Sequence, residues 1–124
     1  LMQYDLHEFH NDNWENTNMV SSLLCAEKWL SDSNCIISYS DIFYTNSTVK
    51  ALINSESLIG ITYDPSWLCL WKRRFKNPLD DAENFKLDSD GFLLDIGGRA
   101  KDVESIQGQY MGLMKFSPAA WAVI

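Results

Sequence analysis

Apolar residues recur along this chain first at helical spacing and later at strand spacing. Met19, Leu23, Ala26 and Leu30 fall three and four apart behind Thr17 and Asn18. Side chains so spaced share one helix face, and a Thr or Asn ahead of them supplies the cap. The pattern predicts a helix over 18–31, ended by Ser31-Asp32-Ser33-Asn34. Cys35-Ile36-Ile37-Ser38-Tyr39 is a short β-prone run between turn formers and reads as a buried strand that stops at Ser40-Asp41. Asn46 and Ser47 then cap a second short helix with Val49, Leu52 and Ile53 on one side. Leu58 to Tyr63 reads as the next strand. Pro65 sits where a helix likes to start, and Trp67, Leu68, Leu70 and Trp71 make a helical apolar patch. Lys72-Arg73-Arg74 closes it, with cations at the end that favours them.

From Glu83 the period becomes two. Asn84–Leu87 and Phe92–Ile96 flank Asp88-Ser89-Asp90-Gly91, which is a hairpin signal. A last strand, Gly108 to Phe116, leads through Ser117-Pro118 into a closing helix, and residues 1–16 read as loop. No repeat, low-complexity tract or linker interrupts the run, so 1–124 reads as a single domain. Helices alternating with strands early, then a hairpin, imply an α/β fold on a mixed sheet rather than a purely parallel one.

Composition narrows the function classes. The 124 residues are 46% hydrophobic and 22% charged, enough apolar content for a core and too much for a disordered segment. Seventeen acidic against ten basic residues give a net charge of −7, with no basic stripe to neutralise nucleic-acid phosphate. No apolar run approaches the roughly 18 residues of a membrane span, and no charged-then-apolar leader opens the chain. Cys25, Cys35 and Cys69 are an odd count without metal-type spacing and read as reduced core or near-core thiols of a cytoplasmic protein. The sequon Asn46-Ser47-Thr48 then meets no glycosylation enzyme. The chain opens on Leu1, not Met, and stops at the apolar Ala122-Val123-Ile124, so it reads as cut from something longer.

Three motifs carry no chemistry. His7-Glu8-Phe9-His10 is one residue short of the zinc-protease pattern and has no third ligand in view. Asp88-Ser89-Asp90-Gly91 opens like a calcium loop but lacks its fifth-position acid. Gly97-Gly98 lacks the third glycine of a dinucleotide fingerprint. Asp41 is different. An acid just past the carboxyl end of a buried strand lies where α/β sheets bind ligands, and a carboxylate there suits Mg²⁺ with phosphate oxygens. The plainer alternative is an Asp that caps a turn.

Four blocks weigh against that alternative. They are Asn16-Thr17-Asn18-Met19-Val20-Ser21-Ser22-Leu23, Ile36-Ile37-Ser38-Tyr39-Ser40-Asp41-Ile42-Phe43-Tyr44, Asn77-Pro78-Leu79-Asp80-Asp81-Ala82-Glu83 and Gln107-Gly108-Gln109-Tyr110-Met111-Gly112-Leu113-Met114-Lys115-Phe116. In this order they resemble the middle of nucleotidylyltransferases of the phosphocholine cytidylyltransferase and sugar-1-phosphate type. The resemblance implies a nucleotide-diphospho-sugar transferase-like, Rossmann-like fold, incomplete at both ends. It implies that Asp41 holds the catalytic Mg²⁺ and that Asn18 and Ser21, at an exposed helix start, read the base of CTP or another nucleoside triphosphate. For those two residues the alternative is simple capping.

Glu83, Arg99 and Gln109 would line the acceptor pocket, by the same resemblance. Arg99 falls where the family usually carries a lysine, which keeps the charge but changes its reach. Glu83 is acidic where sugar-specific relatives have a small residue. A carboxylate beside Trp67 or Trp71 suits a choline-like or aminoethyl cation, although both tryptophans also fit a core. The family's glycine-rich triphosphate loop and its second metal-holding acid are absent from residues 1–124, so these residues alone are expected to be inactive. The implied reaction transfers CMP from CTP to phosphocholine, an aminoethylphosphonate or a sugar 1-phosphate, with release of pyrophosphate. The alternative is a non-catalytic ligand-binding or regulatory domain that retains the fold. A glycosyltransferase would want Asp-x-Asp at the metal strand, where position 39 is Tyr39.

Overall fold

Short polar side chains ahead of a helix accept the first backbone N–H groups, which have no partner inside it. That rule sets most of the starts in the computed structural model, which describes residues 5–124. The expectations that rest on residues 1–4, the opening of the loop and the Leu1 start, lie outside the described residues. In chain order the elements are α1 (Met19–Leu24), α2 (Glu27–Asp32), β1 (Cys35–Ser38), α3 (Asn46–Asn54), β2 (Ile59–Asp64), α4 (Trp67–Arg74), β3 (Glu83–Leu87), β4 (Leu93–Arg99), β5 (Gln109–Phe116) and α5 (Pro118–Trp121). Short 3₁₀ turns add Trp14–Asn16, inside the stretch expected to be loop, and Pro78–Asp80, where the apolar pattern assigns no element.

Asn18 caps α1, accepting from the Val20 and Ser21 N–H groups, as expected. The helix expected over 18–31 is two. Cys25 and Ala26 donate to Ser22 and Leu23 carbonyls three residues back, tightening the chain into a turn between α1 and α2. α3 is capped one residue earlier than expected, by Thr45, because Thr45 still has the extended backbone a cap needs while Asn46 is already helical. At the start of α4 the Asp64 carboxylate accepts the Ser66 N–H at 2.7 Å.

The described residues fall into two compact units. One holds residues 5–35 with Phe116–Ile124. Here α2 packs on α5, Leu30 and Ala120 are buried, and Trp29 takes the edges of the His7 and Phe9 rings. The other unit holds Ile36–Lys115. Its strands form two sheets, not the one mixed sheet expected. One has the order β1-β5-β2, and the other is the antiparallel β3-β4 hairpin. The hairpin turn forms as predicted, with the Asp88 carboxylate accepting the Asp90 and Phe92 N–H groups and Gly91 at φ +85°. The core of this unit is Trp67, Ala82, Phe85 and Ile106, with Ile61, Leu68, Trp71 and Tyr110 packed against it.

The cysteines depart from expectation in burial. All three are free thiols, but Cys25 and Cys69 are exposed, the first in the turn that follows α1 and the second on the solvent side of α4. Burial pushes the Cys35 thiol up. Among the described residues no helix is long and apolar enough to cross a membrane.

Candidate functional site

The turn that carries Asp41 is placed by a glycine. β1 ends at Ser38, and the Tyr39 N–H donates to the Gly112 carbonyl of β5 at 2.9 Å. Gly112 has φ +79°, a conformation that side-chain-bearing residues rarely adopt. A Cβ at that position would lie 2.9 Å from Tyr39 Cδ2 and 3.3 Å from Ile42 Cγ2. The missing side chain therefore lets both flanks of the Ser40-Asp41 turn settle on β5. Asp41 itself is exposed, and among the described residues no basic side chain pairs with it. Behind the turn, Tyr110 meets Tyr39 edge to face at 5.9 Å between ring centroids. Burial first, and the adjoining Tyr39 second, push the Tyr110 hydroxyl up to about 12.

A glutamine places Glu83. Gln109 opens β5 with only 5% of its surface exposed. Its Oε1 accepts the Glu83 N–H at 3.1 Å, and its Nε2 donates to the Glu83 carbonyl at 2.7 Å and the Gly108 carbonyl at 2.9 Å. The amide expected to contact the acceptor is thus wholly engaged by backbone, because a buried amide must satisfy both its ends. Glu83 faces Arg99 across the β3-β4 ladder, beyond a register shift at Glu83/Asn84. Both side chains are exposed, and no ion pair closes between them. The structure therefore joins Glu83, Arg99 and Gln109, with the amide behind and the two charges in front.

Asn18 and Ser21 belong to the other unit and are joined to each other. Asn18 Oδ1 accepts the Val20 and Ser21 N–H groups at 3.1 and 3.2 Å and the Ser21 hydroxyl at 3.4 Å. This is the capping geometry that the residues were also read to fit. Nδ2 is the donor that Asn18 keeps for other use.

Trp67 departs from its assignment to the acceptor. It is 3% exposed in the core, with its Nε1 donating to the Ile106 carbonyl at 3.4 Å. Its apolar spacing on α4 turns the ring inward, where no solvated cation can reach it. Trp71 packs edge to face on it, and the Arg74 guanidinium lies 5.4 Å from the Trp71 ring centre, so this ring already has a cation of the chain's own.

Two features escaped sequence reasoning. Lys115, 8% exposed in β5, donates through Nζ to the Ile53 and Ser55 carbonyls at the end of α3. A cation there meets the negative end of the helix dipole, but a lone lysine in a strand gives no signal of it. A groove of about 650 Å³ also opens between α3, β2 and the hairpin, lined by residues such as Leu52, Ile59, Tyr63, Phe85 and Phe92. None of the candidate residues of its unit lines it, and its lining holds no charged side chain to meet a phosphate. Among the described residues no three His, Cys, Asp or Glu side chains cluster as a metal site. His7 and His10 each lie near an aspartate instead, at 3.5 Å from Asp5 and 3.6 Å from Asp12.

No family model matches the chain. A curated CTP:phosphoglutamine cytidylyltransferase from Campylobacter jejuni is 40% identical to it over 123 residues, 94% of this chain. The chain spans about half of that relative's length, 48%.

Proposed function

We propose, on that similarity, that the chain belongs with the cytidylyltransferase-type nucleotidylyltransferases and that the complete protein transfers CMP from CTP to a small phosphorylated acceptor. The 40% identity over nearly the whole chain is the observation that carries this reading. In the reaction an acceptor phosphate oxygen attacks the α-phosphorus of CTP in line. The bond from the α-phosphorus to its bridging oxygen breaks, and pyrophosphate leaves. Residues 1–124 then form part of a nucleotidyltransferase domain of the nucleotide-diphospho-sugar transferase-like, Rossmann-like fold, in a cytoplasmic enzyme.

Mg²⁺ takes one or two carboxylates together with phosphate oxygens and water. By the resemblance Asp41 is the residue that would hold it, and its exposed carboxylate, with no basic partner among the described residues, fits that need. The ion, when bound, would supply charge neutralisation at the phosphate oxygens. Asn18 offers its Nδ2 to the base, with Ser21 beside it. Glu83 and Arg99 orient the acceptor from neighbouring strands.

The two charges refine the acceptor. Glu83 alone suits an ammonium group, as in phosphocholine or an aminoethylphosphonate. Glu83 opposite Arg99 suits a group that bears both an ammonium and a carboxylate. The relative's phosphoglutamine is such a molecule, whereas a sugar 1-phosphate offers neither charge at its far end. The test is pyrophosphate release by the complete protein from CTP and Mg²⁺, with phosphoglutamine, phosphocholine and glucose 1-phosphate as separate acceptors. Turnover should be fastest with phosphoglutamine and at least tenfold slower with the sugar phosphate. Preference for the sugar phosphate would remove the charged-acceptor reading, and no release with any acceptor would favour a non-catalytic binding domain.

A further inference from the structure

The outer edge of β3 is completed by an arrangement that no strand supplies. A strand presents its backbone groups to each neighbour at alternate residues. On the side away from β4, those residues are Glu83, Phe85 and Leu87, and each is met by the Gln107-Gly108-Gln109 segment. The Gln109 amide takes both backbone groups of Glu83. The Phe85 carbonyl accepts the Gln107 N–H at 3.0 Å, and the Leu87 N–H donates to Gln107 Oε1 at 2.6 Å. Two side-chain amides and one main-chain N–H thus stand in for a strand.

Gly108 makes this possible. It is buried between the two glutamines, and a Cβ there would come within 2.4 Å of Tyr63 Cδ2 and 3.3 Å of the Asp64 carbonyl oxygen. The segment can run this close to β2 only without a side chain at that position. Gln109 also begins β5, the buried middle strand of its sheet, so its amide fastens the open end of the hairpin to that strand. The fastened residue is Glu83, at the ladder position opposite Arg99. The neighbouring register shift at Glu83/Asn84 means that the ladder alone holds this end loosely.

We propose that Gln109 is a positioning residue, whose buried amide substitutes for a β-strand partner and fixes the start of β3 so that Glu83 and Arg99 confront the acceptor as a pair. The proposal rests on the acceptor reading above for its effect on activity. Its geometry stands apart from that reading. Gln109 acts through Glu83 and touches no substrate.

The experiment is a double-mutant cycle in the complete protein, joined to amide hydrogen exchange. Gln109→Met keeps the length and apolar volume and removes all three side-chain hydrogen bonds, two of them to Glu83. Gln109→Glu keeps the acceptor for the Glu83 N–H and opposes a carboxylate to the Glu83 carbonyl. Both variants should raise the KM for phosphoglutamine about fivefold to tenfold, with the KM for CTP within twofold. Glu83→Gln should do the same, and Glu83→Gln combined with Gln109→Met should be no worse than the more affected single variant, since one pathway is lost once. Multiplying effects would overturn the proposal, because they would mean that Gln109 contacts the acceptor itself. In Gln109→Met the Glu83 amide should lose at least tenfold in exchange protection, while amides in the middle of β5 keep theirs. Unchanged protection at Glu83 would overturn the proposal whatever the kinetics. An acceptor KM that ignores Glu83→Gln, together with lost protection in Gln109→Met, would instead sink the acceptor reading and leave the positioning geometry standing. Should Gln109→Met fail to fold, Gln109→Glu is measured in the same way, with the same two readouts deciding.

Discussion

The Asp41 turn and the start of β3 are both held by β5, three residues apart, by opposite means. At Gly112 a side chain is absent, and the backbone on either side of Asp41 closes onto the strand. At Gln109 a side chain is present and behaves as backbone, taking both polar groups of Glu83. In each case the exposed carboxylate touches little, and the buried residue behind it does the placing. Control of an exposed charge is not found at its own surface. It lies one layer in, at positions whose size or amide decides how closely two strands can come.

The largest effect should come from the charge that Gly112 places. Asp41→Asn in the complete protein should leave folding unchanged and lower kcat about a thousandfold, roughly 4 kcal/mol of lost transition-state stabilisation. Circular dichroism and turnover measured side by side check this. Activity within threefold of wild type would remove Asp41 from the chemistry and leave its turn a structural feature only.

Next comes a paired test of the two glycines. Gly112→Ala meets both a positive φ and the Tyr39 ring, and Gly108→Ala meets Tyr63. Each should cost about 1–3 kcal/mol of stability from overpacking and backbone strain. Their kinetic signatures should differ. Gly112→Ala should lower kcat with little change in the acceptor KM, whereas Gly108→Ala should raise the acceptor KM more than it lowers kcat. If both variants shift both constants alike, the division of labour along β5 does not exist.

The smallest effect concerns pH. A tyrosine in the unfolded chain titrates near 10, whereas Tyr110 in the fold is pushed up to about 12 by burial and by Tyr39. The folded state therefore keeps this proton longer than the unfolded state does. The associated stability is present in full below pH 10 and is lost as pH rises towards 12. Melting temperatures taken from pH 8 to pH 12 should fall through that window, and Tyr110→Phe should flatten the fall. A parallel decline in the variant would show that other groups set the alkaline limit.

Much of this was legible in the sequence, for a physical reason. Periodicity and caps are local, so α4, the hairpin around Asp88–Gly91 and the Asn18 cap could be read from a few neighbouring residues. The four blocks resembling nucleotidylyltransferases agree with the similarity to the curated cytidylyltransferase. What escaped depends on contacts between distant residues. Nothing within residues 18–31 signals that the chain turns at Cys25-Ala26 rather than continuing as one helix. The chain forms two sheets, and the edge of the β3-β4 hairpin is met by glutamine amides rather than by a strand, which no apolar pattern records. Trp67 was legible as apolar at helical spacing, but whether its face meets a ligand or the core is settled by Ile106, 39 residues away. Gln109 was legible only as a polar residue at a strand start; that its amide is buried and bonded to the Glu83 backbone depends on a contact 26 residues away.

The proposed reaction breaks CTP at its α-phosphorus, and isotopic label reports that bond most directly. Complete protein, Mg²⁺ and phosphoglutamine would be incubated with CTP labelled at the α-phosphorus and, separately, at the γ-phosphorus. The α-label should move into the acceptor product while the γ-label leaves as pyrophosphate. Asp41→Asn should abolish both movements. Transfer of γ-label to the acceptor would make the protein a phosphotransferase of the kinase type, and would contradict the account at its root.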